Sequence, residues 1–513
     1  MKRTRLLGLV LGLLASPSRA EGPRDAVVIH LVRPDQQCEA LLNLFEGARA
    51  PHPAAALAGW KRATGETLGK APEAVIALVN PQTVRELLTL DQAEVAFRLD
   101  PETGSLRWGA RIPRDDGTVS ALATALALTD GGQDAPIGTV PVDRLGPPGS
   151  PLMAVVDRRA VIGSTREDLH RLLNQGAKEG FVGDEVSFSS GFLIRLDPRG
   201  LDAPGPLWRR QLSAFLIALG ASEVVATSGL SGPGWQAEAS GRFDALPPIR
   251  ATIGSDWLDA FPTERTLAAV ALALDPSSQA WNTLFQALDA ALKVDPNQAE
   301  AAPLRTRLNL VLLPTGISPE ILVWPKLRGL SAGVLVSPRG MDGLLVVLHA
   351  TDDAAAERLA TLVVPRLTRW LGASSEPPET LRADPRPLGR LAGRDVSVSR
   401  RGRSVLVGWG SAVLSAGLAT IDAPETSAGA VLRGRGDPVD WHHVGLFWPA
   451  RWPWDFEADS PWVEALRASP SILWSGRLDG PATRDTIRVD GLRESVRRFL
   501  DSLPLDLPPE TRP

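Results

Sequence analysis

The chain has no tyrosine, a single cysteine and three methionines, and only six of its 55 basic residues are lysines. One cysteine excludes any internal disulfide, so stability must come from packing. Cys38 lies in CEALLNLF, where it reads as an apolar helical position. The shortage of lysine and tyrosine is a coding bias and carries no functional signal. No apolar run after the N-terminus reaches 18 residues, so no membrane-spanning helix is expected. Basic residues are not in excess, and the formal charge is -4. That balance argues against nucleic acid or an anionic membrane as the general partner.

What is present begins with an export signal. Lys2, Arg3 and Arg5 precede the short apolar core LLGLVLGLLA, and Ser18-Arg19-Ala20 offers small residues for cleavage. Residues 1–20 are expected to be removed, leaving an exported protein, periplasmic or secreted. Loss of Lys2, Arg3, Arg5 and Arg19 takes the charge to -8. The remaining length of about 490 residues suffices for several cores.

The main organisational feature is a repeat. VVDRRAVIGSTREDLHRLL (155–173) is matched by SVSRRGRSVLVGWGSAVLSAGL (397–418), with Gly163 and Gly408 an offset of 245 apart. Upstream, AEVAFRLDPETGSLRWGARI parallels SAGVLVSPRGMDGLLVVLHA, with Gly104 and Gly343 offset by 239. Downstream, Gly232-Pro233 and Gly480-Pro481 turn similar hairpins at an offset of 248. Ordered matches with drifting offsets predict two related α+β repeats, 21–250 and 251–500, followed by a flexible tail, 501–513. Paired alternating strands predict antiparallel hairpins packed against helices. Apolar stripes predict helices at 207–219 and 281–292, the first closed by Gly220. Pro- and Gly-rich stretches at 130–151 and 374–387 read as loops.

Chemical motifs are sparse. Ser164 and Glu167 have capping-box spacing, so the loop after Gly163 supplies its own anion at a helix start. KRATGETLGK (61–70) lacks the spacing and the hydroxyl of a phosphate loop. His442 and His443 are adjacent, so on a strand they point to opposite faces, and no metal site is expected. No G-x-S-x-G or HExxH occurs, and Arg435-Gly436-Asp437 is a chance RGD triplet. Catalytic residues remain unassigned, and no cofactor is expected.

Tryptophan is plentiful, with 15 residues against 12 phenylalanines. FWPARWPWDFEADSPW holds Trp448, Trp452, Trp454 and Trp462, a candidate platform for a partner, since such rings serve interfaces well. The alternative is that they fill the core. The hairpin ending in (V/I)(I/V)G before a helix, the signal segment and the strand entry LRGLSAGVLV resemble large exported α+β proteins of unknown function from planctomycete-like bacteria. That resemblance implies no activity and no site residues. The leading expectation is a non-enzymatic exported binding or structural protein whose partner is a protein or a cell-envelope glycan. A hydrolase of envelope or extracellular polymer, using dispersed carboxylates, is the alternative.

Overall fold

The computed structural model describes residues 26–64, 92–100, 106–113, 132–146, 148–157, 159–174, 191–201, 206–231, 234–249, 251–254, 256–274, 279–338, 340–373, 384–410, 412–435, 441–452, 467, 469, 471–479 and 482–504. The export signal, residues 65–70, Gly436, Asp437, Trp454, Trp462 and most of the tail lie outside the described residues.

The fold is α+β. Its strands are β1 (Val27–Val32), β2 (Gln92–Leu99), β3 (Leu106–Pro113), β4 (Gln133–Ile137), β5 (Val140–Arg144), β6 (Leu152–Val156), β7 (Arg159–Gly163), β8 (Gly191–Leu196), β9 (Ala221–Ser231) and β10 (Gly234–Phe243). They continue as β11 (Thr266–Ala273), β12 (Leu327–Ser337), β13 (Gly340–Ala350), β14 (Arg386–Leu391), β15 (Arg394–Arg401), β16 (Ser404–Trp409), β17 (His443–Phe447), β18 (Ile472–Asp479) and β19 (Ala482–Val489). All 19 belong to one sheet.

Every strand pairing among the described residues is antiparallel. One run of neighbours is β4-β5-β6-β7-β3-β2-β1-β8-β9-β10. The other is β14-β15-β16-β13-β12-β11-β17-β18-β19, the same order with β4 lacking a counterpart among the described residues. The last strands of the two runs, β10 and β19, pair with each other along Trp235–Arg242 and join them. The strands β1 and β11, first of their runs in chain order and central in the sheet, have no counterpart in the pattern expected from the sequence.

Helices are α1 (Pro34–Phe45), α2 (Pro53–Thr64), α3 (Arg166–Asn174), α4 (Leu207–Ala218), α5 (Gln279–Lys293) and α6 (Leu304–Leu312). Then come α7 (Asp353–Arg358), which passes through a wider turn into α8 (Val364–Trp370), α9 (Val413–Asp422), α10 (Ala428–Gly434) and α11 (Leu492–Ser502). α4 ends where Gly220 adopts a positive φ of 74°, the left-handed conformation that suits glycine. Phe215, Leu216 and Leu219 of its stripe pack with Ala280, Leu284 and Ala287 of α5.

Strand alternation sorts the sheet into two faces. Ala269, Ala271, Leu345, Val347, Leu406, Val444, Leu446 and Leu473 are buried with Trp257, Phe261 and the Val413–Leu418 side of α9. The opposite face carries Phe192, Ser228, Ala237, Ile487, Trp474, Gly445 and Val270 in one row, paired strand to strand across the β10–β19 seam. Phe192, Ile487, Trp474 and Val270 in that row are exposed.

The loop after Gly163 differs from the expected cap by one residue. α3 begins at Arg166, and Thr165 Oγ1 accepts from the Asp168 amide at 3.2 Å. Both Ser164 Oγ and Thr165 Oγ1 donate to Asp168 Oδ2, at 2.8 and 2.7 Å. The box is therefore Thr165–Asp168, and Glu167 turns instead to Arg98 and Arg107. The glycine fixes this register. A Cβ on Gly163 would lie 2.4 Å from the Leu169 nitrogen, and one on Gly408 would lie 2.7 Å from the Leu414 Cβ. In both runs the strand-end glycine lets a leucine six positions later seat its helix on the sheet.

Candidate binding site

The tryptophan segment divides. Trp448 is buried among Leu446, Leu473 and Trp257, with the Arg451 guanidinium 4.7 Å above its ring. It is a core residue and no part of a platform. Trp452 is half-exposed and meets Phe447 edge-on, with ring centroids 6.2 Å apart.

Other aromatic residues gather where the sequence predicted only a helix stripe. α5 presents Trp281 and Phe285 one turn apart, with ring centroids separated by 6.2 Å. Leu274, just beyond β11, and Trp324, in the turn Trp324–Lys326 that leads into β12, complete an apolar pocket. Asn282 and Arg305 supply its polar lining, and the pocket is small and partly open to solvent. Arg305 binds Asn282 and Glu320, and its hydrogen bonds, helped by its charge, hold the Glu320 carboxyl below the usual range. Among the described residues, the buried Trp281 Nε1 has no hydrogen-bond partner. A buried N–H left without an acceptor costs about 1–3 kcal/mol. Periodicity could mark Trp281 and Phe285 as apolar but could not separate pocket from core. Trp324 lies in an irregular turn and gave no periodic signal.

A second cluster lies on the exposed sheet face. His443 Nε2 contacts Asp485 Oδ1 at 2.5 Å, and Trp474 Nε1 donates to the same oxygen at 3.1 Å. Gly476 sits between them in the row, and any Cβ there would strike both His443 Nε2 and Asp485 Oδ1. His442 instead accepts from the Leu478 amide at 2.5 Å, so the two histidines serve different partners. In the first run the matching pairings place Phe192, Ser228, Ala237 and Ala226 where His443, Gly476, Asp485 and Trp474 stand. The fold thus accepts apolar residues at these places. Among the described residues, the cluster pairs the imidazole with a carboxylate and an indole N–H and shows no nucleophile beside it. No group of three His, Cys, Asp or Glu side chains suited to a metal occurs among the described residues.

His349 has a structural setting. It is buried, stacks on Trp257 at 4.3 Å, and meets Ser331 Oγ at 2.8 Å and Ser404 Oγ at 3.3 Å. Burial, aided by Arg328, pushes His349 down to about 3, and burial with Arg195 pushes His30 down to about 4. Unfolded, both titrate near 6.5. The folded values lie lower, so the unfolded chain binds more protons in that interval. Stability present above pH 6.5 is therefore lost as pH falls toward 4, by up to about 1.4 kcal/mol per pH unit for each group. Asp342 and Asp384, already held below the carboxylate range by hydrogen bonds and arginines, act at lower pH. The urea midpoint is expected to fall between pH 6.5 and 4.5, with His349→Gln flattening that fall. An unchanged slope in the variant would remove His349 from this account.

No family model matches the chain, and no curated protein matches it. A solved structure, titled "Structure of crystal form I of TP0453", is similar over 48% of this chain and 80% of its own, with 9% identity and a TM-score of 0.20. A likeness that slight carries no functional argument.

Proposed function

We propose that the protein is an exported, non-enzymatic binding protein of the cell envelope, and that its pocket takes a small apolar or amphiphilic molecule carrying a hydrogen-bond acceptor. The observation that supports this reading is the apolar pocket of Leu274, Trp281, Phe285 and Trp324 with Asn282 and Arg305 in its wall. An apolar lining favours an acyl or aryl group over a glycan, whose hydroxyls would lose water without replacement. The Arg305–Glu320 pair is too well neutralised for acid–base work and serves better to hold the pocket wall.

Titration with the fluorescent probe N-phenyl-1-naphthylamine, followed by displacement with medium-chain fatty acids, tests this. Saturable binding is expected. Phe285→Ala and Trp281→Ala should each weaken both probe and acid about tenfold by removing apolar lining. Absence of saturable binding, or affinities untouched by both substitutions, would overturn the reading.

A further inference from the structure

α6 has no buried residue, and the segment around it leaves bulky aliphatic side chains in solvent. Leu310 is 59% exposed, Val311 49%, Leu313 70% and Ile321 69%. They sit on a bent pair of helical pieces, Leu304–Thr315 and Pro319–Lys326, which meet at 84°. α8 packs against the turn Leu313–Thr315 and adds Trp370 and Leu371, 43% and 55% exposed, at its end. Arg366 reaches the Gly316 carbonyl at 3.4 Å, which places a guanidinium at the bend.

We propose that this bent segment docks on an anionic lipid leaflet, with Leu310, Val311, Leu313 and Ile321 entering the acyl boundary and Trp370 lying at headgroup level. Twelve helical residues span only about 18 Å, so the segment lies in the interface and does not cross. No single helix among the described residues is long and apolar enough to cross.

Charge selects this occupant. Residues 304–328 and 359–371 contain Arg305, Arg307, Lys326, Arg328, Arg366 and Arg369 against Glu320, with Asp289 of α5 also held at the start of α6, in a chain whose formal charge is -4. Glu320 is already neutralised by Arg305. Cations interspersed along the same segments as the exposed aliphatic residues, with an exposed tryptophan at the end of α8, suit phosphate headgroups above an apolar layer. The expectation from overall charge, which set anionic membranes aside as the general partner, does not reach so local a basic region. The docking is independent of the ligand reading, because the residues to be changed lie outside the pocket lining.

Flotation of the purified protein with vesicles of phosphatidylcholine alone, or mixed with phosphatidylglycerol, tests this proposal. The protein is expected to float with the anionic vesicles at low salt and to be released as salt rises. Leu313→Asp with Ile321→Asp should cut the bound fraction about tenfold. That variant should keep the wild-type melting temperature and probe binding, since both side chains are exposed. Arg366→Glu with Arg369→Glu should remove the preference for phosphatidylglycerol. Failure of the wild-type protein to float, or undiminished flotation of the aspartate variant, would overturn the proposal. So would a wild-type dimer in sedimentation that the aspartate variant loses, which would give the surface to a second copy.

Discussion

Asp168→Ala is expected to destabilise the protein by about 3–5 kcal/mol, and the double substitution Arg98→Leu, Asp168→Val to restore most of that loss. Arg98 is 2% exposed and Asp168 0%, and Arg98 Nε lies 2.7 Å from Asp168 Oδ1. Glu167 adds a contact to Arg98 at 3.2 Å, and Arg107 links Glu167 to the buried Asp100. Removing the carboxylate leaves the buried guanidinium only the exposed Glu167, which offsets little of its lost hydration. Replacing both partners removes the charge altogether.

The second strand run shows what that replacement looks like. Gly109 pairs with Gly163 as Leu345 pairs with Gly408, and Ala96 pairs with Gly109 as Gly333 pairs with Leu345. Two residues further along, Arg98 therefore stands at the place of Leu335. One residue before each seated leucine, Asp168 stands at the place of Val413. Leu335 and Val413 are both fully buried in one apolar cluster. The double variant would still leave the Ser164 and Thr165 hydroxyls without Asp168, so recovery to within about 1–2 kcal/mol of wild type is expected. Urea unfolding at constant m reads these differences. A single variant near wild type, or a double variant no better than the single, would refute the assignment.

The sequence showed the repeat more clearly than it showed either site. Hairpins are legible because alternation and turn residues are local, and the paired matches at Gly163 and Gly408 follow from that. β1 and β11 were missed for a physical reason. TLAAVALA is apolar on both faces, a pattern that does not separate strand from helix, and VVIHLV follows closely on the export signal. Arg98–Asp168 joins residues distant in sequence, which no spacing rule anticipates. One local sign existed: Arg98 occupies the buried register of the alternation, two residues after Ala96. Trp448 shows the opposite error, because composition marks tryptophan as valuable without saying whether it is used inside or outside. The exposed aliphatic residues of 304–326 look like ordinary helix-core positions until the fold leaves them uncovered.

Gly163→Ala is expected to cost about 3 kcal/mol or more, and Gly408→Ala somewhat less, although both look like mild changes. Neither effect comes from φ, since neither glycine has a positive value. The cost is contact. At Gly163 the added Cβ would stand 2.4 Å from the backbone nitrogen of Leu169 and 2.8 Å from its Cα. Backbone in the first turn of α3 cannot step aside without breaking the Thr165–Asp168 cap and moving Leu169, which is fully buried. At Gly408 the nearest atom is the Leu414 Cβ at 2.7 Å, with its nitrogen at 3.0 Å, so a smaller tilt of α9 gives relief. Gly434→Ala supplies the control: nothing lies within 4 Å of its Cβ, and alanine there is expected to be neutral or to gain up to about 1 kcal/mol from helix propensity. Thermal unfolding of the three variants separates the explanations. If Gly163→Ala behaves like Gly434→Ala, the glycine is merely a turn residue. A loss at Gly163 larger than at Gly408 would mean that the conserved spacing to the leucine, six residues in each run, records how closely each helix must approach the sheet.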